Sequence, residues 1–169
     1  MVACVTRMAL LLSLALPLFS GAAGAATKVA PVNAKVAKPL TLTRVQDLDL
    51  GRVILGPGTW SAAAVSISRD GVFVCNNPNV TCTGTPKVAT FNMTGSNNQV
   101  VKIIAPNVTL TNQGDPSQTL TLMLDSPAMV TMETSGNKGQ DFSIGGSMSL
   151  NSTTPGGLYT GTINVTVDY

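Results

Sequence analysis

Along most of the chain, apolar and polar residues alternate one by one in short runs: VSIS, VFVC, VATFNMT, VVKII, VTLT, TLTLMLD, MVTMET, FSIGGSMSL and TINVTVDY. Alternation with a period of two sends successive side chains to opposite faces of an extended strand. Between the runs lie RDG, TGSNNQ, APN, QGDPSQ, DSP, SGNKGQ and TTPGG, where Gly, Pro, Asn and Asp supply the backbone geometries a reversal needs. No stretch carries a convincing 3.6-residue period. Many short strands at this spacing predict an all-β, mostly antiparallel sandwich.

The last run raises a question of edges. Ile163, Val165, Val167 and Tyr169 fall on one side of it, and Asn164, Thr166 and Asp168 on the other. No hairpin partner follows in the sequence, so one edge of this strand is expected to be covered by something else.

The opposite end reads differently. MVACVTRM carries one positive charge, Arg7, and leads into the apolar run ALLLSLALPLF and then the small residues GAAGAA, the three-part layout of a secretory signal peptide. Residues 1–26 are assigned to it, with cleavage after Ala25 or Ala26. A core helix over Leu10–Phe19 would need a cap and a partner face, and neither is visible. The protein is expected to be exported to the periplasm and then the cell surface, with no membrane span after cleavage. Residues 27–38 form an N-terminal extension in which Val32, Ala34 and Val36 alternate with Asn33, Lys35 and Ala37 between Pro31 and Pro39. Proline keeps such a stretch out of the centre of a sheet. It reads either as a tail or as a detachable strand whose spaced apolar side chains fill another molecule's groove. Residues 39–169 form the sandwich domain, opening on the alternating run Leu40–Thr43.

Cysteine usage fits export. Cys4 lies in the segment to be removed, which leaves Cys75 and Cys82 on either side of NNPNVT. Two strands joined by this Asn/Pro turn would bring the cysteines together, and in an oxidising compartment they are expected to bond. A loop of that size contributes roughly 2.5 kcal/mol. A metal site would need further ligands, and the chain has no histidine.

Charged residues make up 11% of the chain with a formal net charge of +2 and no basic run, which argues against nucleic acid as partner. Without histidine there is no Ser/His/Asp or Cys/His arrangement, and the sole glutamate, Glu133, has no acid partner in view. The chain is therefore read as a non-enzyme without cofactor, metal or catalytic residues. Asp47 and Asp49 in DLDLG fall on one face of a strand, but glycine already occupies the fifth position of a would-be calcium loop, so the pair reads as a strand exit and bend. Asn79, Asn92, Asn107, Asn151 and Asn164 each open an N-x-Ser/Thr triplet, which a chain so rich in Asn and Thr produces by chance. Trp60, with no aromatic neighbours, reads as a core anchor rather than a stacking platform for a ligand.

The segments KPLTLTRVQDLDLG, VATFNMTGSNNQVVKIIAP and DFSIGGSMSLNSTTPGGLYTGTINVTVDY together resemble the bacterial DUF4402 family over essentially the whole mature chain. The final pattern of Gly157, Tyr159, Gly161, Val165, Val167 and Tyr169 is also similar to the ending of spore-coat-U-like pilins of archaic chaperone–usher systems. That second resemblance implies an immunoglobulin-like sandwich lacking its last strand, lent first by a periplasmic chaperone and then by the N-terminal extension of the next subunit. It implies donor residues Val32, Ala34 and Val36, an acceptor strand at Ile163, Val165, Val167 and Tyr169, and copies of the same chain, a chaperone and an outer-membrane usher as partners. The competing expectation is a self-contained extracellular module that binds carbohydrate or protein, with Trp60 at its ligand surface.

Overall fold

A computed structural model describes residues 26–133 and 138–169. The expected signal peptide, with Cys4, lies outside the described residues except for Ala26. Ala26 to Pro39 carry no regular structure and are exposed throughout, Val32 at 92% and Val36 at 91% of full accessibility. Contacts divide the chain after Lys35, and the architecture below is that of residues 36–169.

The strands in chain order are β1 (Thr41–Gln46), β2 (Arg52–Leu55), β3 (Ala63–Ile67), β4 (Phe73–Val74), β5 (Val80–Thr83), β6 (Ala89–Thr94), β7 (Val100–Ile104), β8 (Val108–Asn112), β9 (Thr119–Asp125), β10 (Met129–Thr131), β11 (Gln140–Leu150), β12 (Tyr159–Thr160) and β13 (Thr166–Asp168). The described residues hold no helix, and every strand pair is antiparallel, as a β-sandwich requires. The large sheet follows the path β1-β6-β11-β9-β8-β12, with β3 and β4 branching from β11. A second sheet runs β10-β7-β13, and β2 pairs with β5 in a separate ribbon.

Alternation dictates the packing. In β6, Ala89, Phe91 and Met93 turn inward, and in β7, Val101 and Ile103 do the same. The two rows meet, together with Phe142, Ile144 and Met132, as the core between the two sheets. Phe91 and Phe142 stack with ring centroids 5.6 Å apart. Each such side chain contributes about 1.5–3 kcal/mol by leaving water. Two further clusters extend this core, one around Leu50, Ile67, Val108 and Leu122, the other around Ala63, Val65, Val80 and Leu150.

β11 is long because it changes partners. Its first half pairs with β6 and its second with β3, and the exchange falls at Gly145 and Gly146. A Cβ on Gly145 would run into the carbonyl oxygen of Ile67 and the backbone N of Arg69, so glycine is what lets the strands approach there.

The cysteine turn departs from expectation. Cys75 and Cys82 are disulfide-bonded, with Cα atoms 6.3 Å apart, but their strands are not a hairpin. β4 pairs with β3, and β5 pairs with β2. The reason lies in the turn, where the Asn77 side-chain oxygen accepts the N–H of Asn79 at 2.9 Å and its amide donates to the Ala62 carbonyl at 3.3 Å. This local closure leads the chain away from β4, so the bridge joins two different sheets.

Candidate functional site

The C-terminal segment switches sheets. β12 pairs with β8, through Tyr159↔Asn112 and Thr160↔Thr111, while β13 pairs with β7 through Thr166↔Ile104, Val167↔Ile103 and Asp168↔Lys102. Residues 161–165 between them join neither ladder. They nevertheless keep a strand's alternation: Ile163 and Val165 are half-buried against the core, and Thr162 and Asn164 are exposed. Side chains are thus placed as in a sheet while the backbone has no strand partner among the described residues.

The GGLYTG stretch sets up this crossing. Gly157 sits at φ 154°, and a Cβ there would strike the amide of Asn112. Asn112 is 2% exposed, and its amide donates to the Gly156 carbonyl at 3.2 Å while its oxygen accepts the Gly114 N–H at 2.9 Å. The Tyr159 hydroxyl donates to the Pro155 carbonyl at 2.9 Å. Gly161 lies against Val108 and Leu110.

Alongside this segment runs a cleft of about 820 Å³. One wall is formed by residues 154–163 and the other by residues between Arg44 and Leu55, while Ala89, Phe91, Val108, Leu122 and Leu150, all core residues, form its floor. β1 and β12 are the two ends of the large sheet's path, and both line the cleft. The sheet therefore curls until its first and last strands face each other across an apolar gap. Among the described residues each wall strand is paired on one side only, β1 to β6, β2 to β5 and β12 to β8. Beyond the cleft the C-terminal residue is pinned to the approach to β1: the Tyr169 hydroxyl donates to the Lys38 carbonyl at 2.7 Å and accepts the Ser96 N–H at 2.8 Å.

Of the expected acceptor residues, Ile163 lines the cleft, Val165 and Val167 pack on the core cluster of Phe91 and Ile103, and Tyr169 is the pin. The expected donor residues Val32, Ala34 and Val36 are exposed. Trp60 packs half-buried on the cluster of Val65 and Leu150, with its backbone N–H on the Ser152 hydroxyl at 3.2 Å, and does not line the cleft. Asp47 pairs with Arg44 at 3.0 Å, and Asp49 accepts the Gly51 N–H at 2.8 Å, so the two carboxylates diverge and hold the bend between β1 and β2. Asn151 and Asn107 serve as turn acceptors, the first for the Thr153 N–H and the second for the Leu124 N–H. What sequence reading missed is β2: RVIL does not alternate with polar residues, yet it supplies much of the second wall.

No curated protein and no solved structure matches the chain. Residues 40–169, which contain every strand of the described residues and both walls of the cleft but none of the exposed extension, match the family described as a domain of unknown function, DUF4402, and the chain belongs to that family.

Proposed function

We propose that the protein is a secreted, non-enzymatic structural subunit of a cell-surface fibre or pilus, polymerising by donation of its N-terminal extension as a strand to the next copy. One observation carries this reading. The first and last strands of the large sheet face each other across an apolar cleft, and beside that cleft residues 161–165 are laid out as a strand without a ladder. One added strand would supply backbone partners to both walls and cover the half-buried Leu110, Leu120 and Met148 of the lining. β12 is antiparallel to β1, because every step along the path between them is antiparallel. The inserted strand must therefore run parallel to one wall and antiparallel to the other.

The extension has the properties such a strand needs. Its spaced Val32, Ala34 and Val36 are exposed and take no part in the core, and about 10 extended residues reach roughly 33 Å. Charge favours a second copy as recipient. Residues 27–38 hold three lysines and no acid, whereas residues 39–169 hold six basic and eight acidic side chains, a formal −2. The similarity of the terminal pattern to spore-coat-U-like pilins supports the same reading, and with it a periplasmic chaperone and an outer-membrane usher as further partners. The self-contained binding module draws less support, since Trp60 is spent on core packing.

The experiment is direct. A peptide spanning Thr27–Lys38 should bind protein lacking those residues and raise its melting temperature, and the truncated protein should cap growing chains rather than extend them. Full-length fibres built from truncated protein would refute the reading.

A further inference from the structure

Part of one wall of the cleft, the β2 stretch, lies outside both the large sheet and the β10-β7-β13 sheet. Among the described residues β2 pairs only with β5, over Arg52↔Thr83, Val53↔Cys82, Ile54↔Thr81 and Leu55↔Val80, and it presents Arg52, Val53 and Leu55 to the cleft. An isolated two-stranded ribbon is marginal in water, so its position depends on what fastens it. Besides the Trp60 indole on the Gly56 carbonyl and the Asn77 amide on the Ala62 carbonyl, three attachments matter. Asp49 and Lys87 exchange backbone hydrogen bonds of 2.8 and 2.7 Å at one end, Val53, Leu55 and Val80 pack toward Val65 and Leu150, and Cys82 is bonded to Cys75 at the end of β4. The last is the covalent one, and through β4 and β3 it reaches β11 at the centre of the large sheet. In register, Cys82 stands directly opposite Val53, so the strut acts on the wall itself.

We infer that the Cys75–Cys82 bridge is a redox gate on the cleft: oxidised, it holds the β2 wall at the spacing a strand needs, and reduced, it releases that wall while the main sandwich stays folded. The inference rests on the strand-accepting reading of the cleft and adds its regulation. A shallow depression lined by Phe73, Val74, Cys75, Asn76 and Cys82 leaves the bridge open to a dithiol. In the exchange, the protein disulfide takes two electrons and two protons and becomes two thiols, and the dithiol closes into its own disulfide. Acceptor competence would thus arise only after the chain has reached an oxidising compartment.

The test compares the mature full-length chain oxidised, after dithiothreitol reduction with alkylation, and as the Cys75→Ala/Cys82→Ala variant. Two readouts are taken: hydrogen exchange of the β2 and β5 amides against those of β6 and β11, and binding of a labelled Thr27–Lys38 peptide. The expected result is exchange at least tenfold faster in β2 and β5 on opening the bridge, unchanged protection in β6 and β11, and peptide affinity at least tenfold lower, restored on reoxidation of the reduced, unalkylated chain. Unchanged exchange in β2, or loss of protection throughout the sandwich, would overturn the gate. Peptide that binds oxidised and reduced protein equally would do so too. Peptide that fails to bind the oxidised chain would instead strike the fibre-subunit reading, while the exchange data still judge the strut.

Discussion

Asn112 is a buried polar side chain that ties two turns together: its amide donates to the Gly156 carbonyl beside the cleft, and its oxygen accepts the Gly114 N–H in the turn between β8 and β9. Removing the Gly156 carbonyl's partner or crowding the site should therefore be costly. Gly157→Ala introduces both a positive-φ strain and a clash with the Asn112 amide, and should lower unfolding free energy by about 1–3 kcal/mol in a denaturant titration. The sequence showed these residues as a pattern shared with other proteins, but not why they are needed, because the reason is a contact with a side chain 45 positions away. A smaller effect sits in the turn before β9. The Ser117 hydroxyl and N–H both donate to Asp115 and hold its carboxyl below the ordinary aspartate value. A depressed carboxyl stabilises the fold in full above its unfolded value and loses that contribution as pH falls through the folded one. Ser117→Ala should accordingly move the Asp115 titration, followed by NMR, back upward toward the ordinary value.

At the scale of elements, alternation was a good guide where a strand is buried on one face and wet on the other. VVKII and TLTLMLD coincide with β7 and β9, and VATFNMT and VTLT come within a residue of β6 and β8. It failed in two places for physical reasons. β2 alternates in burial, with Val53 and Leu55 half-buried and Arg52 and Ile54 exposed, but the exposed Ile54 is apolar, so the letters RVIL do not show it. The final run alternates throughout, yet its backbone belongs to two sheets with a ladder-free stretch between, because side-chain period reports which face is buried and says nothing about hydrogen-bond partners. The cleft was legible only as a strand whose edge wanted covering; its second wall was not. That stretch also carries a stability prediction. Val165 packs on the core cluster around Phe91 and Ile103, so Val165→Asp buries a carboxylate without a partner and should cost several kcal/mol, seen as a lower melting temperature of the monomer.

For the whole molecule, the informative substitution is one that leaves the fold alone. Val36 is 91% exposed, and the extension before it takes no part in any strand, so Val36→Asp should change the subunit's unfolding free energy by less than about 0.5 kcal/mol. In a strand lent to another copy the same side chain enters an apolar cleft floored by Phe91 and Leu122, and the carboxylate there has no partner. Assembly should fail while the mutant's own cleft still accepts a wild-type strand. Light scattering of the mutant alone should stay at the monomer value, and mixing it with wild-type protein should shorten fibres, since each mutant accepts once and donates nothing. The charge division adds a second handle. On the proposed strand donation, three lysines approach an acceptor domain, residues 39–169, of net −2, so the association rate should fall as salt is raised from 50 to 500 mM, whereas the dissociation rate, governed by buried valines and backbone hydrogen bonds, should change little. A mutant that polymerises like the wild type would mean that Val36 never enters the cleft, and the extension would then have to be read as a tail.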